Sequence, residues 1–547
     1  MGTHEVVNQS PPLEPYNLFT TDPVLGQAVS REGAGSDEDL LTSFGERIGT
    51  EEVFLWGHQA NKNPPELITH DRFGHRIDEV EYHPAYHSLM DISVSEGVHC
   101  LHYERPPDDG GHVTRGALFY LMNQVESGHC CPISMTSSVL ATLRHQPELA
   151  RVWEPRIISR TYDPRLVAPD GKAGCTLGMG MTEKQGGSDV RANTTVAAPV
   201  DNGGPAGEYR LRGHKWFTSA PMSDAFLVLG QAPKGLSCFI VPRVLPDGVL
   251  NPLAIQRLKD KLGNRSNASS ELEFDGTAGW MVGEEGRGVR TIIEMVNGTR
   301  LDCVIGSVAI MRQAVTQAGW YVSHRSAFGS SLIDKPLMRN VIADLEIEVE
   351  VATLMMARLL GAYDRAGVDP TEAAFLRIAT PVAKYWTTKR CSPVVREALE
   401  CLGGNGYVEE SILPRLYRES PVNGIWEGSG NVIALDLLRA MSRSPESLEV
   451  FLDELDQSSG VDASLDRERA RLRERINDLS EPEAEARRLI EHLARVWSGS
   501  LLARHGDHAV ADAFLKSRLD GDWGIQFGTL SHRADLETIA KRAVPAI

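Results

Sequence analysis

Three short segments carry residue types able to do chemistry. In GMGMTEKQGGSD, Gly178 to Asp189, the pair Gly186-Gly187 lets backbone amides approach a ligand, and Thr182 and Ser188 offer hydroxyl hydrogen bonds. That set suits an extended polar cofactor; a strand end running into a glycine turn is the plainer alternative. In GHKWFTSA, Gly213 to Ala220, Trp216 and Phe217 stand beside Thr218 and Ser219. A ring there can cover a planar ligand while a hydroxyl or amide bonds the ligand's edge, although a tryptophan in a β core reads the same way. Third, Glu427 sits in a glycine-rich turn, NGIWEGSGN, just ahead of an apolar helix, with LGGNGY (Gly403, Gly404, Gly406) upstream. A helix N-terminus favours its ionised form and apolar packing raises its pKa, a competition that can tune a general base. Helix starts also carry acids for no catalytic reason.

The elements that must position these segments alternate in texture. From Asp37 to about Ala168 apolar residues recur at three- and four-residue steps, broken by NKNPPEL and ERPPDDGGH, which predicts helices. From Gly174 to about Glu285, short apolar runs such as AFLVLGQ and GLSCFIVPR lie between glycine- and proline-bearing turns, which predicts a β domain. After Gly288 long helical periods return, as for a packed bundle, and after Met441 a further helical segment follows RSPES, with a highly charged helix from about Leu465 to Val496. The resulting expectation is an α+β chain of four parts: helices over 1–173, β structure over 174–287, a helical bundle over 288–440 and a helical extension over 441–547.

At 547 residues the length fits three to four domains, and 41% hydrophobic with 24% charged residues is ordinary globular composition. The formal net charge of −18 repels polyanions unless a basic face is segregated. No signal-like N-terminus and no run of eighteen apolar residues is present, so neither export nor a membrane span is expected. Eight cysteines without a C-x-x-C pair point to a reducing cytoplasm. His83 and His87, or His129 with Cys130 and Cys131, could be imagined as metal ligands, but no partner at ligand spacing completes either set, and no metal is expected. A Rossmann reading fails because no G-x-G-x-x-G follows a strand; GEEGRG has a different spacing.

Taken in order, the segments resemble the acyl-CoA dehydrogenase family of flavoproteins, whose signature M-T-E-x-x-G-G-S-D matches Met181 to Asp189. GHKWFTS, LKDKLGNRSNASSELEFD, GEEGRG, HRSAFG, LGGNGY and EGSGN are further matches, over about Gly45 to Ala440. NPPEL, YHPAYH, PRLYRE and PVNGIWEGSGN, with the C-terminal extension, resemble the family's alkylation-response subgroup over essentially the whole chain. The resemblance implies the family's fold (helical domain, β domain, four-helix-type bundle) plus a helical extension, bound FAD and a homotetramer. It implies that Met179, Met181, Thr182, Gly186, Gly187 and Ser188 line the cofactor and that Trp216, Phe217, Thr218 and Ser219 lie along its ring. Ile425, Trp426, Gly428, Ser429 and Asn431 would close over it, and Arg325, Phe328, Gly403 and Gly404 would contact FAD across a subunit boundary. Two departures bear on those last four: the family's Arg-Asp is Arg418-Glu419 here, and a glutamine expected after the FG motif is replaced around Pro336.

Glu427 becomes the base that takes the α-proton while the β-hydride passes to flavin N5, the electrons going on to an electron-transfer flavoprotein or to oxygen. The substrate implied is an acyl-CoA. The subgroup's alternative is a flavoprotein of the adaptive response that binds double-stranded DNA and inactivates alkylating agents, with only residual dehydrogenase activity. From Met441 onward, fifteen Lys and Arg face twenty Asp and Glu. Arg467, Arg471 and Arg475, with Arg488 and Arg495, could line one side of a long helix and contact DNA phosphates. A solvated helix whose arginines pair with Glu468, Glu474, Glu483, Glu485 and Glu491 is the alternative.

Overall fold

The computed structural model describes residues 2–547. The chain divides into two compact units, one of residues 52–104 and 125–302, the other of residues up to 51, 105–124 and 303–547.

The first unit contains the sheet. Strands β3 (Leu177–Gly180), β4 (Val196–Pro199), β5 (Glu208–Ser219), β6 (Ala225–Ala232), β7 (Gly235–Pro242), β8 (Leu253–Leu258) and β9 (Ser269–Val282) form seven strands. Pairing runs β6-β4-β5-β9-β7 and back to β6, a closed ring, with β3 parallel on β6 and β8 antiparallel on β9. The run AFLVLG is apolar at every position because both faces of β6 are buried. Phe226 and Val228 pack with Tyr209, Phe239 and Phe274, whereas Leu227 and Leu229 pack with Val139, Leu140 and Leu143 of the Cys130–Leu143 helix. The hairpin β1 (Glu66–His70) and β2 (Arg76–Glu81) was not expected from the sequence. Its turn, DRFG, is closed by Asp71, which accepts from the amides of Phe73 and His75.

At the start of the Cys130–Leu143 helix, His129 is fully buried and bonded: Nδ1 lies 2.8 Å from Glu126 Oε2 and Nε2 2.9 Å from Ser93 Oγ. Glu126 Oε1 accepts from Gly128 N, Asn61 Nδ2 and Ser266 Oγ, each at 2.8 Å.

The second unit is helical. Pro336–Arg365 packs on Pro370–Cys401, which packs in turn on Gly430–Arg443 and Pro445–Asp456. Asp369 opens the second of these by accepting from Thr371 N at 2.8 Å, with Pro370 at the first helical position. Phe375, Phe451 and Trp497 pack with ring centroids 5.5 to 5.8 Å apart, so the chain beyond Met441 shares its core with the bundle. The charged helix expected over 465–496 is two helices, Ala463–Asn477 and Pro482–His505. Asp478 to Glu481 interrupts it, because Pro482 can start a helix but not continue one. Among the described residues no helix is long and apolar enough to cross a membrane.

Candidate functional site

In the β unit the first two segments meet. Thr182 O accepts from Trp216 N at 2.8 Å, joining the chain beyond β3 to β5. A buried ion pair ties them more tightly: Lys215 Nζ lies 2.7 Å from Glu183 Oε1 and donates also to Leu229 O at 2.7 Å. Lys215 and Glu183 are 0% and 1% exposed, and Glu183 accepts further from Thr194 N and Thr195 N. Burial alone would push the Glu183 carboxyl up, but the Lys215 ammonium overrides it and holds it down at about 2. Neither residue was singled out in the sequence, though both lie inside the motifs, because a partnership across 32 positions has no local period.

The residues expected to face a cofactor stand around that anchor. The β5–β9 register shifts between Lys215 and Thr218, so Trp216 and Phe217 fall in an irregularity that breaks strict in-out alternation. Trp216 is half-buried and Phe217 is 52% exposed, with Lys259 Nζ 3.4 Å from the first ring's centroid and 4.7 Å from the second's. Thr218 Oγ1 is buried with no hydrogen-bond partner among the described residues. Ser219 Oγ lies 3.4 Å from Ser269 Oγ. Met179, Met181 and Thr182 are half-buried and Ser188 is exposed. Gly187 must lack a side chain, since a Cβ there would come within 2.4 Å of Thr182 Oγ1, and Gly186 has φ +132°. Exposed aromatic surface beside an unpartnered hydroxyl and a glycine turn fits a flat cofactor with a polar edge and a polar tail.

In the helical unit Glu427 occupies a left-handed backbone, φ +58°, followed by Gly428 at +106°. The turn is clamped from the Pro370–Cys401 helix: Lys384, 1% exposed, donates from Nζ to Trp426 O at 2.8 Å and Gly428 O at 2.6 Å, one carbonyl on each side of Glu427. Trp426 Nε1 donates to Asn423 Oδ1 (2.9 Å), and Asn423 Nδ2 donates to Ser307 Oγ (3.2 Å). Ile425, Ser429 and Asn431 are exposed. Lys384 carries no signal in the sequence either, because a lysine in KYWTTKR looks like an exposed helix position.

The turn of Gly403 and Gly404 is not brought to Glu427. It is tied through Asn405 Nδ2 to Tyr321 Oη (3.0 Å), whereas Asn423 is tied to Ser307 of the same Gly288–His324 helix. Fourteen residues of helix put the two anchors roughly 21 Å apart. Gly403 and Gly404 are exposed with open space at their Cβ positions, and Phe328, at 95% exposure and φ +51°, stands on the hairpin after that helix. Arg325 donates to Asn8 O.

The C-terminal arginines do not lie along one helix. Arg467, Arg471 and Arg475 sit on the Ala463–Asn477 helix and Arg488 and Arg495 on the Pro482–His505 helix. Arg467 pairs with Asp520 and Arg471 with Glu468.

A closed β ring followed by a long-helix bundle, with a carboxylate on a clamped turn, defines the class. The middle domain model of acyl-CoA dehydrogenases matches residues 178–277 and their C-terminal domain model residues 286–442, while the N-terminal domain of the adaptive response protein AidB matches residues 8–164. AidB of Escherichia coli strain K12 is 45% identical over 526 residues, 96% of each chain, and acyl-CoA dehydrogenase family member 11 of Caenorhabditis elegans is 32% identical over 91% of this chain and 85% of that one. The crystal structure of Caenorhabditis elegans ACDH-11 in complex with C11-CoA superposes with a TM-score of 0.85 at 28% identity, covering 100% of this chain and 94% of that one. The chain belongs to the acyl-CoA dehydrogenase family. It is a flavoenzyme oxidoreductase of the AidB type, in agreement with the fold and function expected from its motifs.

Proposed function

We propose that this chain oxidises an acyl-CoA thioester at its α,β bond, with Glu427 as the base that removes the α-proton. The observation that carries the reading is the clamp: a glutamate held in a left-handed turn against the usual steric preference, braced on both sides by a buried ammonium. Backbone held so far from its resting preference by a dedicated partner is what positioning a base requires. FAD is the cofactor of this reading; when bound it supplies the acceptor for the β-hydride.

Trp216, Phe217 and the Thr218 hydroxyl offer a flat face and an edge donor to its ring, and Thr182, Ser188 and the Gly186-Gly187 amides offer donors to its polar arm. Phe328, Gly403 and Gly404, which are exposed, and the half-buried Arg325 are assigned to a neighbouring subunit's cofactor in a homotetramer. Electrons leave to an electron-transfer flavoprotein or to oxygen. Eight free thiols suit a reducing cytoplasm.

Glu427→Gln tests the assignment. The variant should purify yellow and folded yet lose flavin bleaching by acyl-CoA, a fall of at least about 100-fold in rate. Bleaching at the parental rate would overturn it.

A further inference from the structure

A cleft of about 860 Å³ lies in the helical unit where the Ala463–Asn477 and Pro482–His505 helices face one another, with Tyr385 on its wall. That volume falls within the roughly 300–1,000 Å³ of small-molecule sites. Several arginines nearby are neutralised by carboxylates: Arg469 by Asp466, Arg473 by Asp456, Arg504 by Glu454 and Arg518 by Asp344. Four that line the cleft have no carboxylate ion pair among the described residues. Arg475 donates to His492 Nδ1 (2.9 Å), Arg487 to Tyr385 Oη (3.2 Å) and Arg495 to Arg518 O, and Arg488 is exposed.

Depth separates the charges. Glu474, Asp478 and Glu491 are exposed at the rim and Glu485 is half-buried, whereas Arg475 and Arg495 reach inward toward His492, 4% exposed. Glu468, the buried carboxylate beside them, is engaged by Arg471 at 2.6 Å. Burial first, then the positive field of Arg475 with Arg495 adding to it, holds the His492 imidazole below its usual titration range against the opposing pull of Glu468. Arg475 and Arg495 thus approach the inner part of the cleft beside Glu468, which also lies 3.2 Å from His492 Nε2 and is balanced by Arg471, behind a rim of mixed sign. A long polyanion meets the rim acids, while a compact anion passes them and reaches guanidinium donors suited to bidentate phosphate contacts.

We propose that this cleft is a binding site for a small phosphorylated molecule whose phosphate sits between Arg475 and Arg495, with Arg487 and Arg488 gripping it at the mouth. The site abuts the active turn: Tyr385 follows Lys384, and a Cβ on Gly430 would stand 3.5 Å from the Tyr385 ring. Its existence does not depend on Glu427 being the base.

Calorimetric titration of the flavin-loaded full chain with inorganic pyrophosphate, and separately with cytidine diphosphate, should show one saturable site per chain. Arg475→Gln and Arg495→Gln should each weaken it at least about tenfold. Where those variants do not fold, the exposed Arg488→Gln, expected to weaken binding about threefold, decides alone. Absence of saturable binding by both probes, or binding that no folded variant alters, overturns the proposal. So does a short DNA duplex that binds at this cleft when pyrophosphate does not.

Discussion

Replacing Lys384 by Met tests whether the bundle holds the Glu427 turn in place. Methionine keeps an apolar stem of similar reach and removes the ammonium, so the carbonyls of Trp426 and Gly428 lose donors now at 2.8 and 2.6 Å. A buried carbonyl deprived of its donor costs about 1–3 kcal/mol, so two cost at most about 2–6 kcal/mol, and the part-buried setting of these bonds lowers that. Not having to bury an ammonium returns part of this, leaving a net loss of about 2–3 kcal/mol. The left-handed Glu427 itself stores about 1–3 kcal/mol, which only the surrounding contacts sustain. Without the clamp the backbone relaxes and the carboxylate shifts, and a displacement near 1 Å slows chemistry about 100-fold. Stopped-flow bleaching of the flavin by acyl-CoA, beside a thermal unfolding scan, reads both effects: a midpoint lowered by a few degrees and bleaching slowed about 10- to 100-fold, with flavin retained. Parental stability together with a parental bleaching rate would refute the reasoning.

Lys215→Met leaves Glu183 charged and buried without its counter-ion and should cost about 3–5 kcal/mol in thermal unfolding, with Glu183→Gln in the same chain restoring part of the loss. Because that carboxyl is held at about 2 in the folded chain against an ordinary 4.5, the pair's contribution is complete above about pH 4.5 and is lost as pH falls toward 2. An acid titration of the midpoint that stays flat across this window in the parent, as it should in the double variant, counts against the pair. Gly128→Ala would drive a methyl to 1.8 Å from Ser266 Oγ, which is bonded to Glu126; a loss of about 1–3 kcal/mol or more is expected, and an unchanged midpoint would mean that the 261–268 loop yields freely.

Much of this architecture was legible from local pattern. The apolar run of β6 and the 3.6-residue period through Gly288–His324 each encode their own burial, so the succession of helices, sheet and bundle followed from composition and spacing. The motif residues of the β unit were legible as a set, and Trp216 does bond to Thr182, but the buried pair that joins the two motifs was not, since Glu183 and Lys215 meet only after β5 has folded back. The β1–β2 hairpin escaped because its strands, ELITH and RIDEVE, bury only Asp78 and Val80 and offer little apolar alternation. The arginine pattern failed for a different cause. Arg467, Arg471 and Arg475 do share a helix, but joining them to Arg488 and Arg495 assumes one continuous helix, and Pro482 begins a second one.

A glutamate at φ +58° is a poor tenant for its own backbone; glycine or asparagine would sit there at less cost. Drift at position 427 thus runs downhill in conformational energy whenever the acid ceases to be needed. If Glu427 is the base, as proposed, a relative that has abandoned proton abstraction should show it first at this one position, with the rest of the β ring and bundle still intact, and the turn would then separate working lineages from retired ones.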